Sequence, residues 1–293
     1  MARKVTANKS PQPQPLLAFQ GELGAFSQTA ARQLAGGNIR VLPCHRFEEL
    51  YTNLRDGNVD AAVVPIENTL HGSVHENYDH LLRFELPIVA ETQVRIVHNL
   101  IAPPGVRLDQ IKKVYSHPVA LTQCLNFFAA NPSFERVPFY DTAGSVKMLI
   151  ETGAKDSAAI ASKVAAEIHG GRILTESIED DRQNFTRFFL LQRPGDTRQL
   201  HHRPHPSAEW KTSLVFTTAN VPGALFRALA AFSLRDLSLN KIESRPLRGK
   251  PWEYLFYLDF IGHIDDPKCH NAIANLAEVT DFQRVLGCYP RGV

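Results

Sequence analysis

The sequence predicts an α/β protein: a first region of largely parallel sheet divided between two lobes, then a smaller unit of βαββαβ order. Three observations carry this expectation. Short apolar runs alternate with helix-periodic segments from Leu16 to the Gly170-Gly171 pair. An aperiodic stretch rich in Pro, Gly, Arg and His then runs from Pro194 to Pro206 and reads as a linker. From Lys211 to Pro290 the rhythm becomes strand, helix, two strands, helix, strand, the order of a ferredoxin-like unit. The expected division is residues 16–193, a linker over 194–209, and a second domain over 210–291.

Taken in order, Leu16 to Phe19 is a strand that meets the glycine-punctuated turn Gly21 to Ser27, and a helix follows over Gln28 to Leu34. Ile39 to Leu42 is a strand, and Phe47, Leu50 and Leu54 mark one face of the next helix. Asp60 to Val64 is a buried strand running into Pro65-Ile66-Glu67-Asn68, with Val74, Tyr78, Leu81 and Leu82 the inward side of the helix beyond. Glu91 to Ile101 is long and extended, as a crossover between lobes would be. Ile111 to Tyr115 and Val137 to Tyr140 are strands, followed by helices opened by Ser116-His117-Pro118 and by Asp141-Thr142-Ala143-Gly144. Ser157 to Ala161 is the next strand, with Ser162 opening a helix that Gly170-Gly171 ends. An acidic turn, Glu179 to Asp181, then leads through Asn184-Phe185-Thr186-Arg187 into the apolar strand Phe188 to Leu191.

The polar stretches at Gly21–Ser27, Pro65–Asn68, Ser116–Pro118, Asp141–Gly144 and Ser162 each follow the carboxyl end of a strand. That edge is where open α/β sheets bind ligands, because the next helix points N–H groups at it. One such turn is more often a plain cap; five together predict a cleft for a small anion.

Composition excludes several classes of function. The 293 residues are 44% hydrophobic and 21% charged with a formal net charge of +2, which gives no reason to expect nucleic acid or a membrane surface as partner. No apolar run approaches the roughly 18 residues of a membrane span. Cys44, Cys124, Cys269 and Cys288 are widely spaced and form no C-x-x-C pair, so no metal site or disulfide framework is expected, and the reading is a cytoplasmic, reducing compartment. Met1 to Pro15 has the Pro/Gln content of a disordered tail and lacks the apolar core of a secretory signal. His201, His202 and His205 fall in the linker without accompanying carboxylate or cysteine ligands and are read as solvated.

With these residues laid out, the chain resembles the prephenate dehydratases that carry a C-terminal ACT regulatory domain. The resemblance runs from about Leu16 to Pro290. It rests on Gly21-Glu22-Leu23-Gly24-Ala25-Phe26-Ser27, on Pro65-Ile66-Glu67-Asn68-Thr69 with Gly72-Ser73-Val74, and on Ser116-His117-Pro118 with Gln123-Cys124. The family's Thr-Arg-Phe is Thr186-Arg187-Phe188, and the regulatory motifs match Pro222 to Leu225 and Glu243 to Pro246. Glu22, Leu23 and Ala25 depart from the commoner bacterial pattern, and several blocks look closer to the plant arogenate dehydratases. The substrate is therefore prephenate, arogenate or both.

The resemblance implies a fold like that of periplasmic binding proteins for the catalytic part and a carbon–oxygen lyase needing no cofactor or metal. It implies a reaction that expels the ring carboxylate as CO₂ and the ring hydroxyl as water. Thr186 is then the oriented donor to the leaving hydroxyl, with Glu67 a candidate proton source. Arg187 either clamps a substrate carboxylate or forms an internal ion pair that shapes the site. Ser27, Ser116 and Thr142 are expected at the substrate with the amides of Asn68 and Gln123, and Phe26 and Phe188 either pack on the ring or belong to the core. His71, His75 and His117 are left as surface or capping residues. For the second domain the resemblance implies pairing with a copy of itself, as dimer or tetramer, and phenylalanine as effector. Asn220, Pro222, Gly223, Ala224, Leu225, Glu243, Ser244 and Arg245 are the expected contacts of that effector. Two other classes fit the bare pattern: a solute-binding protein with an anion cleft, and an amino-acid sensor whose cleft is vestigial.

Overall fold

The computed structural model describes residues 14–200, 208–247, 249–250 and 252–292; the expectations for the N-terminal tail to residue 13 and for the three linker histidines fall outside these residues. Three sheets organise the chain. The first is built from β1 (Leu16–Gln20), α1 (Phe26–Ala35), β2 (Arg40–Cys44), α2 (Phe47–Arg55), β3 (Ala61–Asn68), β4 (Gly72–Ser73), α3 (His75–Phe84) and β5 (Ile88–Arg95). The chain then crosses to a second sheet through β6 (Asn99–Ala102), β7 (Lys113–Ser116), α4 (Pro118–Thr122), α5 (Leu125–Ala130), β8 (Glu135–Pro138), α6 (Thr142–Thr152), β9 (Ser157–Ala161), α7 (Lys163–His169) and β10 (Arg172–Thr175). It returns to the first sheet as β11 (Phe185–Leu191).

The strand orders are β2-β1-β3-β11-β5, with β4 on β3, and β10-β6-β9-β7-β8. The two lobes expected from the sequence are present, and the extended segment 91–101 is one of their two connections. The sheets are more mixed than expected. Pairing is parallel among β1, β2 and β3 and among β7, β8 and β9, where helices make the crossovers. It is antiparallel where β11 returns between β3 and β5 and where β6 enters between β9 and β10.

The third sheet follows the predicted βαββαβ order: β12 (Trp210–Thr217), α8 (Ala224–Ser233), β13 (Leu239–Pro246), β14 (Tyr254–Ile261), α9 (Pro267–Glu278) and β15 (Phe282–Pro290). Its strands lie in the order β13-β14-β12-β15, all neighbours antiparallel. One face is covered by α8 and α9 around Leu214, Phe216, Phe232, Phe260 and Leu276. The other face is not free. Val215, Leu255, Tyr257, Leu286 and Tyr289 share one core with Ala62, Val64, Ile66, Phe189 and Leu191 of the first sheet. The approach at β15 is close: a Cβ on Gly287 would stand 2.2 Å from the Ile88 carbonyl oxygen.

Candidate active site

A cavity of about 530 Å³ lies between the two lobes. Four of the five polar turns reach it, through Gln20 and Phe26, Pro65 and Asn68, His117, and Tyr140 to Thr142. Asp141 caps α6 by accepting from the Gly144 N–H at 2.6 Å, and burial raises its pKa. Gly21, at φ +112, lets the first turn pass so near that a Cβ there would stand 2.9 Å from Asp141 Oδ2. The fifth turn ties the lobe together instead. Ser162 caps α7 through Ala165 N and donates to the Gly24 carbonyl at 2.6 Å.

Alternation along β11 decides what faces the cavity. Phe188 and Leu190 pack with α1 residues, whereas Phe189 and Leu191 pack toward the third sheet. Thr186 lines the cavity, and Arg187, one residue on, points the other way. Its Nε donates to Glu91 at 2.6 Å, its Nη1 to Asp259 at 2.6 Å and its Nη2 to the Tyr289 hydroxyl at 3.1 Å. Lys211 completes this buried group through Glu91 at 2.6 Å. Burial opposes the charge on Arg187, and the carboxylates of Asp259 and Glu91 more than offset it, with the neutral Tyr289 hydroxyl as a third acceptor. Arg187 is thus an internal ion pair and does not clamp a ligand in this cavity.

Glu67 is also displaced from its expected place. A bulge between β3 and β11 pairs Glu67 with Arg187 and Pro65 with Phe188, leaving Ile66 extra. The parity of β3 flips there, so Glu67 joins the face of Arg187 and its carboxylate meets Lys241 of β13 at 2.9 Å. It does not line the cavity and is no proton source in this arrangement. Phe188, 2% exposed, is core. Ser116 donates to the Ile160 carbonyl at 2.6 Å and Ser27 is buried in α1, both away from the cavity wall. Phe26, Asn68, Gln123, Thr142 and Thr186 are brought together on the cavity wall.

The amides form one hydrogen-bond chain whose proton positions follow from the backbone. Asn68 Oδ1 accepts from the N–H groups of Leu70 and His71, both at 3.0 Å, which fixes its Nδ2 as donor. That Nδ2 donates to Asn184 Oδ1 at 2.8 Å and to Thr186 Oγ1 at 3.0 Å. Asn184 therefore donates through Nδ2 to Gln123 Oε1 at 3.0 Å, so Gln123 donates through Nε2 to His71 Nδ1 at 3.2 Å. His98 Nε2, 2.8 Å from the same Gln123 Oε1, must carry a proton. Burial lowers the His98 pKa and leaves its Nδ1 a bare, unpartnered acceptor. Thr186 accepts from Asn68, and its own hydroxyl proton has no acceptor among the described residues.

Of the histidines left as surface or capping residues, His71 and His117 line this cavity, as does His98, which the sequence did not single out, whereas His75 meets Glu243 at 3.1 Å. His117 does cap α4, accepting from Val119 N at 3.2 Å, so capping was half of its role. The signal for the others was weak: His71 is an exposed loop residue, and His98 lies in the crossover with no periodic context.

The effector contacts expected in the third sheet divide. Asn220, Ala224 and Leu225 line a hollow of about 130 Å³ with Trp252, Tyr254 and Phe256. Gly223 starts α8 at φ +76, the conformation that glycine adopts without strain, with Pro222 before it. Glu243 and Arg245 turn instead to the first lobe, Glu243 to Ser73 at 2.6 Å and Arg245 to Asp79 at 3.3 Å, while Ser244 is exposed on the opposite face of β13.

Comparison with known proteins agrees with this architecture. The family model for prephenate dehydratase matches residues 17–196. The chloroplastic arogenate dehydratase/prephenate dehydratase 1 of Arabidopsis thaliana is 42% identical over 288 residues, spanning 94% of this chain and 71% of that protein. Prephenate dehydratase of Arthrobacter aurescens, in complex with L-Phe, is 34% identical with a TM-score of 0.85, over 94% of this chain and 90% of that one. GqqA, from a novel type of quorum quenching acylases, is 34% identical with a TM-score of 0.84, over 94% and 97%. Matched over more than half its length and at that identity, the chain belongs to the prephenate dehydratase family.

Proposed function

We propose that this protein catalyses the decarboxylating dehydration of prephenate, arogenate or both, and that Thr186 acts at the leaving hydroxyl. The ring carboxylate departs as CO₂, its bonding electrons make the ring aromatic, and hydroxide is expelled and takes a proton to become water. A placed donor on that oxygen contributes roughly 10²–10⁴-fold. One observation carries the reading: Thr186 Oγ1 accepts from Asn68 while its own proton remains available in the cavity. The acceptance polarises the hydroxyl as a donor. Phe26, Phe47, Val74, Ile96 and Val119 give the ring an apolar wall, and Asn68 and Gln123 supply polar contacts. The test is initial rates with both substrates. Thr186→Val is expected to lose at least roughly 10²-fold in kcat with KM within a few-fold, and near-normal kcat would refute the role. Wild-type protein inactive on both substrates would refute the activity.

A second reading, acyl hydrolysis, follows from the likeness to GqqA and from Ser73. This serine lines the cavity, donates to Glu243 at 2.6 Å and accepts from Lys241 at 3.0 Å. Hydrolysis of an N-acyl amide abolished by Ser73→Ala would favour it.

We further propose phenylalanine as effector at the Asn220–Leu225 turn, a cytoplasmic location, and pairing of copies through the third sheet. Supporting the last, β13 is an edge strand, and Phe226 and Trp252 are 76% and 78% exposed.

A further inference from the structure

The cavity presents a problem of charge. Its proposed ligand carries two carboxylates, yet no lysine or arginine is among the described residues that line it, and Asp141 is the one carboxylate there. Arg187, the cation nearest in sequence to Thr186, is committed to Glu91 and Asp259 on the far face of β11. Lys241 stands behind the wall, 3.0 Å from Ser73 Oγ and paired with Glu67 at 2.9 Å, so the donors that meet an anion on the wall itself are neutral.

Two imidazoles have their donors fixed. His71 Nδ1 accepts from Gln123 Nε2, and His117 Nδ1 accepts from Val119 N, so in each neutral ring the proton sits on Nε2. The Nε2 of His71 has only a loose contact, 3.5 Å to Thr122 Oγ1, whose own proton goes to the Val119 carbonyl. The His117 Nε2 has no partner among the described residues. Both rings line the one cavity; burial lowers the pKa of His117, and His71 lowers it further. They come from opposite walls: His71 from the β3–β4 loop of the first lobe, His117 from the turn after β7 in the second. Asp141, near His117, does not fill this position, because its carboxylate accepts from the amide groups of Gly144 and Glu22.

We propose that His71 and His117 form a two-imidazole clamp for a substrate carboxylate, each donating Nε2–H from its own lobe. The clamp rests on the dehydratase reading and assigns the carboxylate contact that Arg187 cannot make. It also gives the lobes a reason to close, since one anion satisfies a donor from each.

The test uses full-length protein with prephenate and with arogenate, which share the carboxylates. His71→Ala removes an exposed loop side chain. His117→Asn keeps an N-cap acceptor for α4 but lacks the Nε2–H. Each variant is expected to raise KM roughly ten- to a hundredfold on both substrates, the loss of one hydrogen bond to a charged group, with kcat within a few-fold. A wild-type KM in either variant, or a loss confined to kcat, overturns the clamp. If His117 serves only as a cap, His117→Asn behaves as wild type. Should that variant fail to fold, His71→Ala decides alone. Inactivity of the wild-type protein on both substrates overturns the dehydratase reading instead, a separate result.

Discussion

At the scale of single residues, neighbours in sequence have opposite duties. Asn68 donates to Thr186 and, through Asn184, sets the proton positions as far as His71, whereas Glu67 beside it faces Lys241. Asn68→Asp keeps the oxygen that receives the Leu70 and His71 amides and turns the donor into an acceptor facing acceptors. We expect kcat to fall roughly 10²–10³-fold, as for loss of a transition-state donor. Glu67→Gln should lose far less, since only a contact with the third sheet weakens. Steady-state rates of the two variants check this, and equal losses would return Glu67 to the chemistry. Thr186, Asn68 and Gln123 were legible as candidates because they stand in the motifs that carry the family resemblance, Asn68 and Thr186 at the ends of β3 and β11 and Gln123 just after α4. His71 and His98 were not, because their roles come from side-chain partners 52 and 25 residues away, which no local pattern reports.

At the scale of elements, β3 shows why the remainder of the site was misread. Strict alternation from Val63 and Pro65 would place Glu67 toward the cleft, and one extra residue, Ile66, reverses it. Strand identity was readable from apolar content, whereas the bulge depends on its partner β11. The same holds for Arg187. Its guanidinium could be expected to clamp or to pair, and only the third sheet, which supplies Asp259 and Tyr289, decides. Arg187→Met leaves Glu91 with Lys211 but strands Asp259 against Ser213 and Tyr289. With the arginine side chain 11% exposed, breaking this buried group should cost about 3–5 kcal/mol. Urea unfolding measures it. Unchanged stability with a raised KM would restore the clamp role.

At the scale of the molecule, the third sheet is not a tethered module. The composition of 194–206 reads as a linker, which leaves open how closely the two parts pack, and the face of the sheet opposite α8 and α9 shares a core with the first lobe through Tyr257, Leu286 and Tyr289. Nothing in the βαββαβ pattern says that both faces are covered: Lys211, Ser213 and Thr217 make one face of β12 read as solvent-facing, yet Val215 of that face lies in the core shared with the first lobe. Continuous packing predicts one cooperative unfolding step. The two tryptophans, Trp210 and Trp252, both lie in the third unit, so their fluorescence follows that unit while far-UV circular dichroism follows the whole chain. The two transitions should coincide. Gly287→Ala tests the contact itself: its Cβ would stand 2.2 Å from the Ile88 carbonyl oxygen, a backbone atom that cannot swing aside. We expect a loss of about 1–3 kcal/mol, the usual cost of overpacking, with both signals moving together to lower urea. An early fluorescence transition with circular dichroism largely retained would mean that the sheets come apart before either unfolds, and the shared core would then be too weak to carry a signal from the third sheet to Thr186.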